Sequence, residues 1–158
     1  RKECSRVMIT STAHQVINAF HLVVALGDEA GDAFISDDLL QQVFWFAVSW
    51  SFGGLLETKG REKFDGFVRQ HYKNLPATDG STIFDYKLNV KTGQWEHWNK
   101  FVEKWKYPGD DRLDFSTLFI PTLDSVRLHW LVQANFVQHH PCCLMGVSGT
   151  ARTERAHA

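Results

Sequence analysis

The run Gly146-Val147-Ser148-Gly149-Thr150-Ala151-Arg152-Thr153 carries the strongest chemical signal in the chain. It follows an apolar stretch, Pro141-Cys142-Cys143-Leu144-Met145, whose composition predicts a strand. A phosphate-binding loop needs glycines so that backbone N–H groups can curl around phosphate oxygens. It also needs a cation for the β and γ oxygens and a hydroxyl for Mg²⁺. Against the pattern G-x-x-x-x-G-K-[ST], Gly146 and Thr153 stand in place. Ala151 occupies the second glycine's position and Arg152 the lysine's. Arginine keeps the charge, but its planar fork is not a neutral replacement for a point charge. The same residues also fit a glycine-bearing loop that holds nothing. No acidic strand end, polar sensor or arginine finger follows Thr153, so hydrolysis by this chain alone is not expected and no catalytic residue is assigned.

Other clusters are weaker. His139, His140, Cys142 and Cys143 crowd together, but their spacing matches no common zinc finger or ribbon. A helix end followed by a buried strand, with one thiol facing each way, accounts for them. Trp95, Trp98, Phe101 and Trp105 fall at helical spacing and are read as core rather than as a stripe that binds a partner. Glu57, Lys59, Arg61, Glu62 and Lys63 read as an exposed, charged helix start. His14, His21, His97 and His129 show no partnered spacing.

The elements that would position the loop follow from periodicity. Thr12 with Gln15 has the form of a capping box, Val16, Phe20 and Val23 share one helical face, and Gly27 offers a stop. A polar loop is expected from 27 to 36. The next helix, from about Asp38 to Leu56, is apolar nearly all round and must be covered on several sides. A third begins near Arg61, with Phe64, Phe67, Val68 and His71 on one face. After the Leu75-Pro76 break, Phe84, Tyr86, Leu88 and Val90 alternate with polar residues, which predicts a strand. Lys91-Thr92-Gly93 can turn the chain into a return strand at Gln94-Trp95. Beyond Tyr107-Pro108-Gly109 come a short strand (Leu118-Phe119-Ile120), a break at Pro121, and a helix from about Asp124 to His139 with Val126, Trp130 and Ala134 on one face.

With 158 residues, 44% of them hydrophobic and 22% charged, the composition is globular rather than disordered. A net charge of −1 supplies no bulk attraction to nucleic acid or to an anionic membrane, so neither is expected as a partner. The polar and glycine interruptions between Leu39 and Leu56 argue against a membrane span. Cys4, Cys142 and Cys143 cannot build a disulfide framework, which points to a reducing compartment. The chain opens on Arg1 without an initiator methionine, so a piece of a longer polypeptide is expected.

The order of these features resembles the dynein heavy chain family, at the junction of its second and third AAA+ modules. The residues that carry the resemblance are Phe44-Trp45-Phe46-Ala47-Val48-Ser49-Trp50-Ser51-Phe52-Gly53-Gly54, Arg61 through Phe67, Thr82 through Tyr86, Gly93 through Trp98, Ile120 through Arg127, and Gly146 through Thr153. The wording of Gln94–Trp98 is closer to axonemal than to cytoplasmic members. The resemblance implies a mixed, mostly helical α/β chain with three parts. Residues 1–75 would be the helical lid of the preceding module, 76–114 a connector with a β-hairpin and short helix, and 115–158 the first part of the next module up to its P-loop.

The resemblance further implies a parent motor that uses ATP to move toward microtubule minus ends, located in the cytoskeleton and in the axoneme of a cilium or flagellum. Its partners would be microtubules (through the parent, not this segment), intermediate and light chains, and neighbouring AAA+ modules. Gly146, Val147, Ser148, Gly149, Thr150, Ala151, Arg152 and Thr153 would hold ATP or ADP, with Thr153 near Mg²⁺ and Ile120 and Pro121 near the adenine. The family usually carries lysine where Arg152 stands, so a regulatory or degenerate site is implied. The alternative is a helical structural or interaction module that binds no nucleotide.

Overall fold

The computed structural model describes residues 5–31, 36–76, 80–106 and 120–144. It divides into two compact units, residues 1–97 and 98–158. It is mostly helical, with one small antiparallel sheet among the described residues. No helix among them is long and apolar enough to cross a membrane.

In the first unit, α1 spans Thr12–Ala30, and its cap is Ser11, one residue ahead of the expected Thr12. The Ser11 Oγ accepts from the His14 backbone N–H at 3.2 Å, which satisfies one of the orphan donors of the first turn. The helix runs through Gly27 instead of stopping there. Glycine within a helix costs only about 1 kcal/mol, and Gly31, at φ 55°, supplies the real stop by donating to the Gly27 carbonyl. Leu22, Leu26 and Ala30 are buried, whereas Val16 and Phe20 are exposed. Both faces of α1 are apolar, and the buried one carries Gln15, Leu22, Leu26 and Ala30.

Helix α2, Asp37–Val48, continues into a π-helical turn, Ser49–Gly53. There the Gly54 N–H reaches the Ser49 carbonyl at 2.9 Å, five residues back. The expected single helix to Leu56 therefore ends early. Leu56 instead forms a bridge with Arg6 in an extended segment. Helix α3, Thr58–His71, starts three residues before the expected Arg61. Arg61 is not a solvated charge. Its Nε donates to the Leu56 carbonyl at 3.1 Å and its second guanidinium nitrogen to the Gly54 carbonyl at 2.8 Å. The guanidinium also lies 5.5 Å from the centre of the Phe84 ring.

The hairpin comes next. The alternating pattern starts later than expected because Ile83–Asp85 form a 3-10 turn. Asp85 accepts from the Thr82 N–H at 2.8 Å and returns its own N–H to the Thr82 carbonyl at 3.0 Å. Strand β1, Tyr86–Asn89, pairs with β2, Gln94–His97, in the register Tyr86↔His97 and Leu88↔Trp95. Gly93, at φ 66°, makes the turn, and its N–H donates to the Asn89 carbonyl at 2.8 Å. The predicted helical spacing from Trp95 to Trp105 is not realised. Trp95 belongs to β2 and packs on Phe46, with ring centres 6.1 Å apart.

The core of this unit gathers Val68, Ile83 and Phe84, with Trp45, Trp50, Phe64, Leu75 and Trp95 packed around them. A Cβ on Gly53 would lie 2.6 Å from the Phe84 Cζ and 2.9 Å from the Phe64 Cδ1. The Phe84 ring is 2% exposed and cannot retreat, so Gly53→Ala should destabilise the unit by about 1–3 kcal/mol, read as a lowered urea midpoint.

Tyr72, at the end of α3, is 4% exposed and stacks on Trp45. Its hydroxyl faces Asp38, Gln42 and Asn74 without a hydrogen bond of good geometry. Burial, reinforced by the Asp38 charge, pushes its phenol above the ordinary value. The folded state therefore holds the phenol proton more tightly than the unfolded chain does. The associated stability is complete below about pH 10 and is lost as pH climbs through the raised value. Tyr72→Phe should flatten that part of the alkaline decline, measured as denaturant midpoint against pH.

Candidate functional site

Gly146, Val147, Ser148, Gly149, Thr150, Ala151, Arg152 and Thr153 lie outside the described residues, as do Leu118 and Phe119 of the expected strand. What is described is the framework between them: Ile120, Pro121, the helix that follows, and the segment 140–144. Ile120 is 48% exposed and Pro121 half-buried. They stand immediately before α4, Leu123–Val137.

The start of α4 is fixed by a reciprocal capping box. Thr122 Oγ1 accepts from the Ser125 N–H at 3.2 Å, and Ser125 Oγ accepts from the Thr122 N–H at 2.8 Å. Ser125 is buried in this arrangement. Within the second unit, the Trp130 ring packs edge-on against Trp98 at 5.8 Å, and Phe101 meets Trp98 at 6.0 Å. Trp98 is 1% exposed, as its core assignment requires, whereas Phe101 and Trp105 are more than a third exposed. Trp98–Phe101 form a 3-10 turn rather than a longer helix.

The far end of α4 closes with a Schellman arrangement. The His140 N–H donates to the Asn135 carbonyl and the His139 N–H to the Phe136 carbonyl, both at 2.9 Å. This places His139 at φ 55°, the only non-glycine residue with positive φ among those described. The pair His139-His140 is thus explained by the helix cap, and His139 and Cys142 do not converge on a metal. Among the described residues, no group of three or more His, Cys, Asp or Glu side chains is placed to hold one.

Pro141–Leu144 are not in a strand, and Met145 lies outside the described residues, as does the Leu118-Phe119 part of the other expected strand. Both cysteines are exposed and free rather than facing opposite ways across a sheet. Partial burial pushes the Cys142 thiol up, which makes it a poorer nucleophile than an ordinary cysteine.

The first unit contributes a second feature, an open apolar groove of ≈ 450 Å³. Val16, Ala19, Phe20 and Val23 of α1 form one wall. Phe44, Ala47 and Val48 of α2, with Phe52, Phe64 and Phe67, form the rest. Phe20 is 66% exposed and Phe44 52%.

Residues 1–100 match the sequence profile described as dynein heavy chain AAA lid domain, and residues 107–157 match that of the P-loop containing dynein motor region. The chain belongs to the dynein heavy chain family. It is 32% identical over 144 residues to human dynein axonemal heavy chain 8, covering 88% of this chain and 3% of the relative. It is 35% identical over 151 residues to the dynein gamma chain of the flagellar outer arm of Chlamydomonas reinhardtii, covering 94% and 3%. Rat dynein axonemal heavy chain 5 is 30% identical over 151 residues, covering 92% and 4%. The chain therefore spans a few per cent of the length of these relatives, and all three are axonemal or flagellar heavy chains.

Within this dynein segment, α1 to α3 and the hairpin fall in the lid match, and α4 falls in the motor-region match. His139, in the left-handed region, forms the cap that ends α4. An L-residue in the left-handed region costs about 1 kcal/mol that glycine does not. His139→Gly should accordingly stabilise α4 by about 0.5–1 kcal/mol and raise its unfolding midpoint, whereas His139→Ala should bring no gain.

Proposed function

We propose that this chain is the junction between the second and third AAA+ modules of an axonemal dynein heavy chain, with a regulatory nucleotide site weakened at its P-loop. Residues 1–75 are read as the lid of one module, 76–114 as the connector and 115–158 as the opening of the next. The observation that carries the reading is the succession of a lid match and a P-loop match in one chain.

The parent chain would be an ATP-driven motor on microtubules, working in the axoneme of a cilium or flagellum with intermediate and light chains. The flagellar and axonemal names of the relatives support that location. The apolar groove between α1, α2 and α3 supports the further reading that a neighbouring AAA+ module of the same polypeptide covers this face.

The chemistry of the donor set fits a nucleoside di- or triphosphate with Mg²⁺. Gly146 and Gly149 leave room for backbone N–H groups to approach phosphate oxygens, Arg152 brings a positive charge, and the Thr153 hydroxyl suits Mg²⁺. Ile120 and Pro121, ahead of α4, would border the adenine. When bound, the nucleotide supplies the γ-phosphate whose presence or loss a regulatory site senses. The residues of this chain hold and orient it. Hydrolysis would need an acidic residue and an arginine from elsewhere in the parent.

Arg152 at the lysine position specifically favours a second reading, in which the module is structural and binds no nucleotide. Nucleotide affinity at this site, measured in the intact motor before and after Arg152→Lys, separates the two. Weak binding that strengthens by about tenfold or more, equivalent to ~1.4 kcal/mol, is the expected result. No binding in either form would establish the structural reading instead.

A further inference from the structure

We propose that Asp65 and Arg69 of α3 form a latch that locks the 3-10 turn and hairpin of residues 83–97 to the three helices. The hairpin then moves as part of the helical unit rather than as a flexible connector. Apolar packing alone brings the two together. Ile83 and Phe84 are 1% and 2% exposed, Leu88 and Val90 1% each, but such packing is non-directional and does not by itself fix position.

The direction comes from α3. Asp65 Oδ1 accepts from the Ile83 backbone N–H at 2.7 Å. That N–H opens the 3-10 turn and has no acceptor inside it, while the preceding Thr82 N–H is taken by Asp85. The second Asp65 oxygen accepts from Arg69 Nε, also at 2.7 Å, one helical turn away on the same face. Arg69 then donates to the Pro76 carbonyl at 2.9 Å and lies 3.5 Å from the Ser81 carbonyl. One carboxylate and one guanidinium thus hold backbone groups both where the chain leaves α3 and where it enters the hairpin. The Asp65 side chain is 10% exposed, so water competes poorly for its bonds. The latch is independent of whether the P-loop binds nucleotide.

Amide hydrogen exchange read by mass spectrometry, in the full polypeptide that carries these residues, tests it. Peptides covering 83–97 should exchange as slowly as those of α3. Asp65→Ala should speed hairpin exchange by about ten- to hundredfold, the factor expected for losing a charge-assisted hydrogen bond, while α1 and α2 keep their rates. Arg69→Gln should act in the same direction by a smaller factor, and it decides the matter if Asp65→Ala does not fold. Hairpin exchange unchanged in Arg69→Gln, or equal acceleration of all three helices and the hairpin, overturns the proposal.

Discussion

Between Gly53 and the Phe84 ring there is room for a hydrogen and for nothing larger. That close approach lets a hairpin formed thirty residues later seat an aromatic ring against the end of α2. It also requires the backbone of α2 to end as it does. The π-helical turn over Ser49–Gly53 widens the helix by one residue and holds Trp50 edge-on to Phe84 at 5.6 Å, while Phe46, one turn earlier in α2, packs on Trp95. Helix α3 then closes on the same ring through Phe64. Helices α2 and α3 and the hairpin are thus held by contacts that converge on one small volume. A tight aromatic core of this kind tolerates little change in shape.

Hydrophobic contact brings these elements together, but three charged side chains fix how the irregular segments run. Arg61, Asp65 and Arg69 recur every four residues along α3 and so form one stripe. Each spends its polar atoms on backbone groups that no regular element satisfies. Arg61 takes the Gly54 and Leu56 carbonyls, Asp65 the Ile83 N–H, and Arg69 the Pro76 carbonyl. A buried backbone polar group left alone costs about as much as a lost hydrogen bond. The stripe therefore removes penalties at the π turn, the loop after α3 and the mouth of the hairpin, which are the places where the fold departs from regular structure.

The parts of this architecture that repeat were legible in the sequence. Period 3.6 located α2, α3 and α4, and period two with Lys91-Thr92-Gly93 located the hairpin, because in each case one apolar face is buried. Where a residue's role depends on a partner distant in sequence, the pattern was silent. Arg61 reads as one charge in a charged run until Gly54 and Leu56 are folded beside it. His139 reads as a helix end, but nothing in the sequence marks it as the left-handed residue of a Schellman turn. Gly27 reads as a stop because glycine often is one, yet Gly31 four residues later has the positive φ that a stop uses. Of the candidate site, Ile120, Pro121 and the capped start of α4 were legible as a framework. The loop from Gly146 to Thr153 rests on motif chemistry and on the match to the P-loop motor region.

The two apolar faces of α1 bear on the whole first unit. A helix with two apolar faces cannot reveal from sequence which face is turned inward within its own unit and which is left for something else. Leu22, Leu26 and Ala30 are buried, and Val16, Phe20 and Val23 line the open groove with Phe44 and Phe67. The face that period 3.6 picks out, Val16, Phe20 and Val23, is the one that lines the groove. One face builds the unit and the other is kept apolar for contact. Phe20 and Phe44 are 66% and 52% exposed along that groove, a contiguous apolar surface of the kind that marks contact sites.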